Sequence, residues 1–203
     1  MSILNTDENG ESILAQPVRH VEGFGFRAGL HGLAAGRGGF PLAMKLADFT
    51  SSSLMIPHLG GRDATAIIQE LGEVLHREKR VLDLPSFVKA VLSRECLGNT
   101  EMEAAMAFPH ARLADLPGLS FALGRSDKPL GWGPNAEGRV RLVFLIAAPA
   151  DDFSLYLPLI SGLVRLAKDS RLTQLLCAAP DALQMFEALQ RVELPARTLS
   201  AAK

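Results

Sequence analysis

The sequence predicts an α/β domain of three layers, in which a small mixed sheet has helices packed on both of its faces. Two observations predict this fold class. Apolar residues recur at helical spacing in two segments before residue 97 and in three segments after residue 153. Between these segments the apolar runs are short, as strands are, and Val140–Ala147 is apolar almost throughout. A run of that kind is typical of a central strand that is covered on both faces.

The composition is that of an ordinary globular protein. The chain has 203 residues, of which 48% are hydrophobic and 21% are charged, and its net charge is -1. This charge gives no general electrostatic case for binding nucleic acid or an anionic membrane. Cys96 and Cys177 lie far apart in the sequence and are expected to be reduced thiols. No apolar run approaches the ~20 residues that span a bilayer, and no basic cluster opens the chain, so the protein is predicted to be cytoplasmic.

Residues 1–43 differ from the remainder of the chain. Seven glycines lie between positions 23 and 39, and apolar periodicity is missing there. The segment is predicted to be a flexible extension, because it cannot bury enough apolar surface to offset the entropy lost on ordering. Met44 is an alternative start of the chain. The predicted domain runs over residues 44–195, and residues 196–203 are predicted to be a disordered tail.

The first residues of the domain give weak signals. Leu46–Phe49 predicts a short strand or a turn, and Ser51–Gly61 predicts a loop. Within that loop His58 is expected to have a surface or capping role, since no catalytic partner can be read nearby.

Two helices are predicted next, each behind an aspartate that can cap its first turn. Asp63 precedes the first helix, and Asp83 precedes the second, where Pro85 suits a first turn. Arg94 and Glu95 fall in the last turn of the second helix. Taken alone, Arg94 there would only complement the helix C-terminus.

Further strands are predicted after the second helix. Ala105–Phe108 is short and apolar and is followed by a proline, so His110 is expected just past the end of a strand. Leu119–Leu123 is a second candidate. Gly124–Gly138 is rich in glycine and proline and predicts turns, with a short edge strand at Leu130–Trp132, in which the tryptophan is expected to pack in the core or at the edge.

Three helices are predicted after the long strand. Ser154 is the predicted cap of a helix that runs to about Lys168. A short helix is predicted over Arg171–Ala178, and a last one is predicted to begin at Pro180-Asp181.

The segment Arg94–Arg112 carries the functional prediction. A neutral imidazole is a nucleophile near pH 7, and an arginine fork can bind the oxyanions of a phosphoryl group. The spacing resembles the enzyme IIA domain of the bacterial phosphotransferase system, in its mannitol, fructose and nitrogen-regulatory class (type 2), whose motif ends in Pro-His. The residues that fall on this motif without a gap are Arg94, Glu95, Asn99, Thr100, Ala107, Pro109 and His110.

The resemblance covers roughly residues 44–193 and implies a mixed five-stranded sheet between helices, with no cofactor. It implies that His110 is phosphorylated, that Arg94 neutralises the phosphoryl oxygens, and that Thr100 either hydrogen-bonds the phosphoryl group or holds the loop. The implied donor is a histidine phosphocarrier protein. The implied acceptor is an enzyme IIB component or a regulatory target protein, and neither nucleic acid nor direct membrane insertion is expected.

The chain departs from the family pattern at five positions. Asn99 stands for a serine, and glycines are replaced by Glu101, Glu103 and Ala105. Many family members have a second histidine facing the first, and Tyr156 takes that position here. A phenol can donate a hydrogen bond to a phosphoryl oxygen, but with a pKa of about 10 it does not shuttle charge near neutral pH.

Two functions remain open from the sequence. The first is a phosphoryl carrier of the sugar phosphotransferase system. The alternative is a degenerate regulatory module of the same fold that binds proteins without carrying the group, because Glu101 and Glu103 would each repel a dianion by up to about 1 kcal/mol at 4 Å in water. A histidine-dependent hydrolase is disfavoured, since no nucleophile lies in a G-x-S-x-G elbow.

Overall fold

Aspartate caps begin most helices of this computed structural model, which describes residues 44–98, 100–102, 105–133, 138–151 and 153–194. Asp63 accepts a hydrogen bond from the Ala66 N–H (2.9 Å), and Asp83 accepts one from the Ser86 N–H (3.1 Å). These bonds satisfy donors that the first turn of a helix leaves open, and they confirm the two predicted caps. The helices are α1 (Ala64–Arg77), α2 (Leu84–Cys96), α3 (Tyr156–Lys168), α4 (Ser170–Ala178) and α5 (Ala182–Leu189).

Helix α3 begins differently from the prediction. Its N-cap position is Leu155, which makes no side-chain cap, so the prediction that Ser154 is the cap is wrong. Pro158 lies in the first turn and removes one of the donors that a cap would otherwise serve.

The strands form one mixed sheet in the order β1-β5-β6-β3-β2, with β4 also paired to β6. β6 is antiparallel to β5 and parallel to β3 and β4, so it is a central strand, as its apolar sequence predicts. The strands are β1 (Met55–Ile56), β2 (Glu101–Met102), β3 (Met106–Ala107), β4 (His110–Leu113), β5 (Ser120–Leu130) and β6 (Val140–Pro149).

Strands β3 and β4 are two parts of one line along β6. Met106 pairs with Leu142 and His110 pairs with Ile146, so both parts keep the same register. The break between them is small because Pro109, which has no N–H, still accepts from the Ile146 N–H through its carbonyl (2.9 Å). If β3 and β4 are counted as one interrupted strand, the sheet has five strands, as expected. The prediction that His110 lies past the end of the strand is wrong, because it is the first residue of β4.

Of the two alternatives predicted for Leu46–Phe49, a strand or a turn, the structure has a turn of 3₁₀ helix. Two other elements differ from the prediction. The predicted loop Ser51–Gly61 contains β1. β5 does not stop near Leu123 but continues through the predicted turns, and Leu130 is its last residue instead of the start of a separate edge strand. Pairing with β6 reaches Arg125 and resumes at Leu130. Strand β6 thus forms hydrogen bonds with backbone groups of β5 in a segment whose glycines and prolines alone predict turns.

The sheet separates two apolar cores. Alternate residues of β6 point to opposite faces, so Phe144 packs with α3, α4 and α5, whereas Val143 packs with α1 and α2. This arrangement confirms the predicted three layers. Trp132 is fully buried in the core beside α1 and α2, which confirms it as a packing residue.

The ends of the described domain are joined by backbone hydrogen bonds. The Leu46 N–H donates to the Val192 carbonyl oxygen at 3.0 Å. The predicted extension, residues 1–43, and the predicted tail, residues 196–203, lie outside the described residues. Within the described part of the chain, none of the helices combines the length and the apolar character that crossing a membrane requires.

Candidate functional site

His110 lies on the face of the sheet that packs against α3. Side chains alternate along a strand, and Ala111 joins the core beside α1 and α2, so His110 and Arg112 point to the opposite face. There the Tyr156 ring, at the first residue of α3, lies 6.4 Å from the His110 ring between centroids. The structure therefore brings together two of the predicted site residues that are far apart in sequence.

The hydrogen bond of the His110 ring defines its tautomer. Nδ1 lies 3.0 Å from the carbonyl oxygen of Phe108. A carbonyl oxygen can only accept, so Nδ1 carries the proton and donates it. In the neutral ring Nε2 then holds the lone pair. The half-buried ring thus carries its proton on Nδ1, and in the neutral form its lone pair is on Nε2.

Arg94 supplies a cation at the end of α2. Its Nη1 donates to the carbonyl oxygen of Gly98 (3.0 Å), which holds the side chain along the turn that leaves the helix. Its charge also acts on Tyr156, where it favours a lower pKa of the phenol. Among the described residues no carboxylate forms an ion pair with Arg94. The positive charge is therefore not neutralised by a described acidic neighbour.

The carboxylate of Glu95, next to Arg94, is occupied by neutral donors. Thr100 provides two of them, its N–H to Oε2 (3.1 Å) and its hydroxyl to Oε1 (2.7 Å). The indole N–H of Trp132 lies 2.9 Å from Oε2. The N–H and hydroxyl of Thr100 are thus both directed at Glu95.

Arg112 is a second cation, which the sequence prediction missed. Its guanidinium carbon lies 3.5 Å from the centroid of the Phe153 ring and 5.7 Å from that of Tyr156. Nη2 donates to the carbonyl oxygen of Ala150, whereas the buried Nε has no acceptor among the described residues. The spacing of two residues from His110 signals a shared strand face, but the predicted strand ended before His110.

Burial raises the pKa of the Tyr156 phenol above its ordinary value of 10.0, and the charges of Arg112 and Arg94 offset this only in part. The phenol is therefore protonated near neutral pH and can donate a hydrogen bond to an oxyanion. It does not gain or lose a proton in that range. We call His110, Arg94, Arg112 and Tyr156 the His110 site.

The backbone at Ala105 keeps a conformation that glycine adopts most easily. Its φ is 59°, in the left-handed region, which costs a residue with a Cβ atom roughly 1–2 kcal/mol. The carbonyl oxygen of Ala105 accepts from the Arg141 N–H (2.8 Å), which anchors the turn before β3. Glu101 lies half-exposed in β2, and Asn99 and Glu103 lie outside the described residues.

Large apolar side chains are exposed on the segments that carry the site. Leu97, which follows α2, is 86% exposed; Phe153, which covers Arg112, is 55% exposed; and Leu157, next to Tyr156, is 64% exposed. Exposed apolar groups around a site are typical of a surface that binds a macromolecule. Two grooves of 520 and 620 Å³ lie along α1 and α2, and the residues that line them include none of the His110 site. The His110 site is therefore separate from these two grooves.

A family model matches most of the chain. Residues 49–192 match the family described as "Phosphoenolpyruvate-dependent sugar phosphotransferase system, EIIA 2". The match includes every residue of the His110 site.

One curated relative and two solved structures illustrate the similarity. The nitrogen regulatory protein of Bradyrhizobium diazoefficiens is 26% identical over 150 residues, which are 72% of this chain and 95% of the relative. The crystal structure of the nitrogen regulatory protein IIA-Ntr from Neisseria meningitidis has a TM-score of 0.61 at 20% identity, covering 71% of this chain and 98% of that chain. The complex of enzyme IIA-mannitol and phosphorylated enzyme IIB-mannitol from Escherichia coli has a TM-score of 0.60 at 20% identity, covering 68% and 95%. At this identity the two structures establish a shared fold.

Proposed function

Because the chain belongs to the type 2 enzyme IIA family of the phosphoenolpyruvate-dependent sugar phosphotransferase system, we propose that it carries a phosphoryl group on His110. One observation carries this proposal. The Nδ1 proton of His110 is donated to the Phe108 carbonyl oxygen at 3.0 Å, so the lone pair of the neutral ring lies on Nε2. Nε2 is then the atom that accepts the phosphoryl group.

In the proposed step Nε2 attacks the phosphorus atom of a phosphohistidine on the donor protein. The P–N bond of the donor breaks and the P–Nε2 bond forms, while the Nδ1 proton stays in its hydrogen bond with Phe108. Such a transfer depends on in-line approach and on neutralising the phosphoryl oxygens rather than on covalent assistance. The bond from Nδ1 also stabilises the positive charge that the ring gains.

Arg94, Arg112 and Tyr156 are the groups that we propose bind the phosphoryl oxygens. A hydrogen bond to a charged group contributes roughly 1.5–3 kcal/mol. The half-exposed Glu101 opposes binding by only about 1 kcal/mol at 4 Å in water. With Glu103 counted at the same strength, two guanidinium groups still outweigh the two carboxylates, which favours a working carrier over a degenerate one.

The exposed apolar side chains of Leu97, Phe153 and Leu157 are the surface on which we propose that partners dock. The donor is a histidine phosphocarrier protein, and the acceptor is an enzyme IIB component or a regulatory target protein. The Escherichia coli complex, in which an enzyme IIA of this fold is bound to a phosphorylated enzyme IIB, supports a IIB protein as acceptor. The Bradyrhizobium relative is a nitrogen regulatory protein that this chain covers over 95% of its length, which supports a regulatory readout.

A non-carrier module of the same fold is the second candidate. It is favoured by Tyr156, which cannot exchange a proton near neutral pH, and by Glu101 at a position where the family has glycine. Such a module would bind regulatory partners through the same exposed surface without forming phosphohistidine.

Intact-mass measurement decides between the candidates. The full chain is incubated with phosphoenolpyruvate, enzyme I and the phosphocarrier protein, and we expect one added phosphoryl group. His110→Ala should remove it, whereas His58→Ala, at an exposed histidine whose Nδ1 bonds Asp127, should retain it. If the wild type gains no mass while the phosphocarrier is shown to be charged, the carrier is excluded and the regulatory module stands.

A further inference from the structure

A continuous series of hydrogen bonds runs from the core to the His110 ring. The Trp132 indole and the Thr100 hydroxyl both donate to Glu95, at 2.9 Å and 2.7 Å. The carbonyl oxygen of Thr100 accepts from the Phe108 N–H at 3.2 Å. The carbonyl oxygen of Phe108 then accepts the Nδ1 proton of His110 at 3.0 Å.

We propose that Glu95, held by Trp132 and Thr100, is a positioning residue for His110, and that Trp132 responds to phosphorylation of that ring. The second part rests on the proposed function. Glu95 does not touch the reacting atoms, since its carboxylate faces Thr100 and Trp132. It acts by holding Thr100, whose carbonyl in turn holds the peptide of Phe108.

The geometry at Phe108 explains why this matters for the imidazole. The Nδ1–H tautomer, which leaves the lone pair on Nε2, needs an acceptor at a fixed place. That acceptor is the Phe108 carbonyl oxygen, and the peptide that bears it is fixed by the Thr100 bond on one side and by the β-sheet bond of Pro109 on the other. If Glu95 is removed, Thr100 is no longer held in place, so the position of the Phe108 peptide is less fixed. The preference of His110 for the Nδ1–H tautomer then weakens.

The same hydrogen bonds also transmit a change at the His110 ring back to Trp132. A phosphoryl group on Nε2 makes the ring cationic and its Nδ1–H a stronger donor. The Phe108 carbonyl is then drawn toward the ring, and neighbouring hydrogen bonds strengthen or shift together. Trp132 is the single tryptophan of the chain, so the tryptophan fluorescence comes from the residue that donates to Glu95.

The chemistry of Glu95 provides a discriminating pair of variants. Glu95→Ala removes both acceptor oxygens. Glu95→Gln keeps one oxygen for the two N–H donors and turns an NH₂ group toward the Thr100 hydroxyl, which can rotate and accept. Rescue by glutamine is therefore expected for a positioning role, and no rescue is expected if only the negative charge of Glu95 matters.

The first measurement uses the unphosphorylated full chain. ¹⁵N chemical shifts of the imidazole give the tautomer of His110, and we expect the Nδ1–H form in the wild type and in Glu95→Gln. In Glu95→Ala and in Trp132→Phe, the Nε2–H fraction should rise. The matched control is Glu70→Ala, which removes a carboxylate that binds the N–H groups of Gly60 and Gly61. An unchanged tautomer in folded Glu95→Ala and Trp132→Phe overturns the positioning role.

The second measurement uses phosphoryl transfer from the charged phosphocarrier protein. In Glu95→Ala kcat should fall roughly tenfold, as for about one lost hydrogen bond, with KM changed less than about twofold. Trp132 emission should change as the wild type is phosphorylated and should change less in Glu95→Ala. Emission that stays constant at full phosphorylation overturns the reporting role. If the wild type takes no phosphoryl group, the proposed function fails, and the tautomer measurement still decides the positioning role.

Discussion

Two clusters of this domain combine a histidine, an arginine and a carboxylate, and they use them in opposite ways. In the first, which we call the His58 cluster, Nδ1 of His58 lies 3.0 Å from the carboxylate of Asp127, and Nη2 of Arg125 lies 3.3 Å from it. At the His110 site the nearby carboxylate of Glu95 binds neutral donors instead. The same residue types therefore give an arginine paired with a carboxylate in one place and, among the described residues, an arginine without a carboxylate partner in the other.

The arginines of the two clusters also have different roles. Arg125 is buried, and its Nη1 donates to the carbonyl oxygens of Cys177 and Ala179 at the end of α4, so it joins β5 to that helix. Among the described residues, Arg94 and Arg112 also donate to carbonyl oxygens. Their charges, however, favour a lower pKa of Tyr156, whose ring lies 6.4 Å from that of His110. Under the proposed function, the arginines of the His110 site would bind the phosphoryl group, because the carboxylate of Glu95 is bound to other donors.

The largest expected effect comes from giving the His110 site the carboxylate that the His58 cluster has. Tyr156→Glu should lower phosphoryl transfer by about two orders of magnitude or more, because like charges repel by about 4 kcal/mol at 4 Å in a partly buried setting. Tyr156→Phe removes only a hydroxyl and should slow transfer a few-fold. Transfer rates measured with the charged phosphocarrier protein test both. Equal rates for the two variants would show that Tyr156 does not face the phosphoryl group.

Arg94→Lys should separate electrostatic support from folding. We expect the transfer rate to fall tenfold or more, since losing a charged hydrogen bond costs roughly 1.5–3 kcal/mol and lysine lacks the planar fork. The thermal midpoint should hardly change, because Arg94 lies at an exposed helix end. Arg125→Lys is the counterpart and should lower the midpoint while leaving the rate per folded molecule unaltered. The reverse pattern would contradict the division of roles between the two clusters.

Arg112→Gln tests the second cation of the His110 site. The transfer rate should fall roughly tenfold, near the lower end of the range of about 1.5–3 kcal/mol for a charged hydrogen bond, because Arg94 remains. Arg165→Gln, at an arginine that donates to the Glu193 carbonyl oxygen, is the matched control and should transfer at the wild-type rate. A rate for Arg112→Gln equal to that of the control would remove Arg112 from the site.

The His58 cluster should affect how the stability of the domain declines as the pH is lowered. The hydrogen bond from His58 is the main cause that lowers the pKa of Asp127 below 3.8. A carboxyl with a lowered pKa in the folded state stabilises the fold above its unfolded pKa, and this contribution is lost as the pH falls through the folded pKa. Thermal midpoints between about pH 5 and pH 2 should therefore decline less in Asp127→Asn than in the wild type. Parallel declines would show that the pair does not contribute.

The smallest effect is expected at the turn before β3. Ala105→Gly should stabilise the domain by roughly 0.5–1 kcal/mol, because relief of the left-handed conformation exceeds the added entropy of glycine in the unfolded chain. Denaturant unfolding measures this difference. Ala107→Gly, at a neighbouring alanine buried in β3, is the control and should destabilise instead. A loss of stability in Ala105→Gly would mean that the methyl group contributes more by packing than the backbone strain costs.

Part of this arrangement was accessible to sequence reasoning. The caps at Asp63 and Asp83, the apolar stripes of α1 and α2, and the central strand β6 all follow from short-range patterns, and each is confirmed. The Pro109-His110 motif and Arg94 identified the segment that belongs to a IIA family. The end of the strand predicted at Ala105–Phe108 was misplaced, because a proline stops a strand only when its missing N–H is needed, and here the carbonyl of Pro109 accepts from the Ile146 N–H.

The sequence by itself determined where the helices lie, which strand is central and which histidine the family motif marks, because these depend on residues only a few positions apart. Only the tertiary structure decided what each charge does. Glu95 accepts a hydrogen bond from Trp132, and Arg112 is brought beside Tyr156 by the continuation of the strand past Pro109. These choices depend on donors and rings that are distant in the sequence, so no local pattern encodes them, and the folded sheet places them within hydrogen-bond distance.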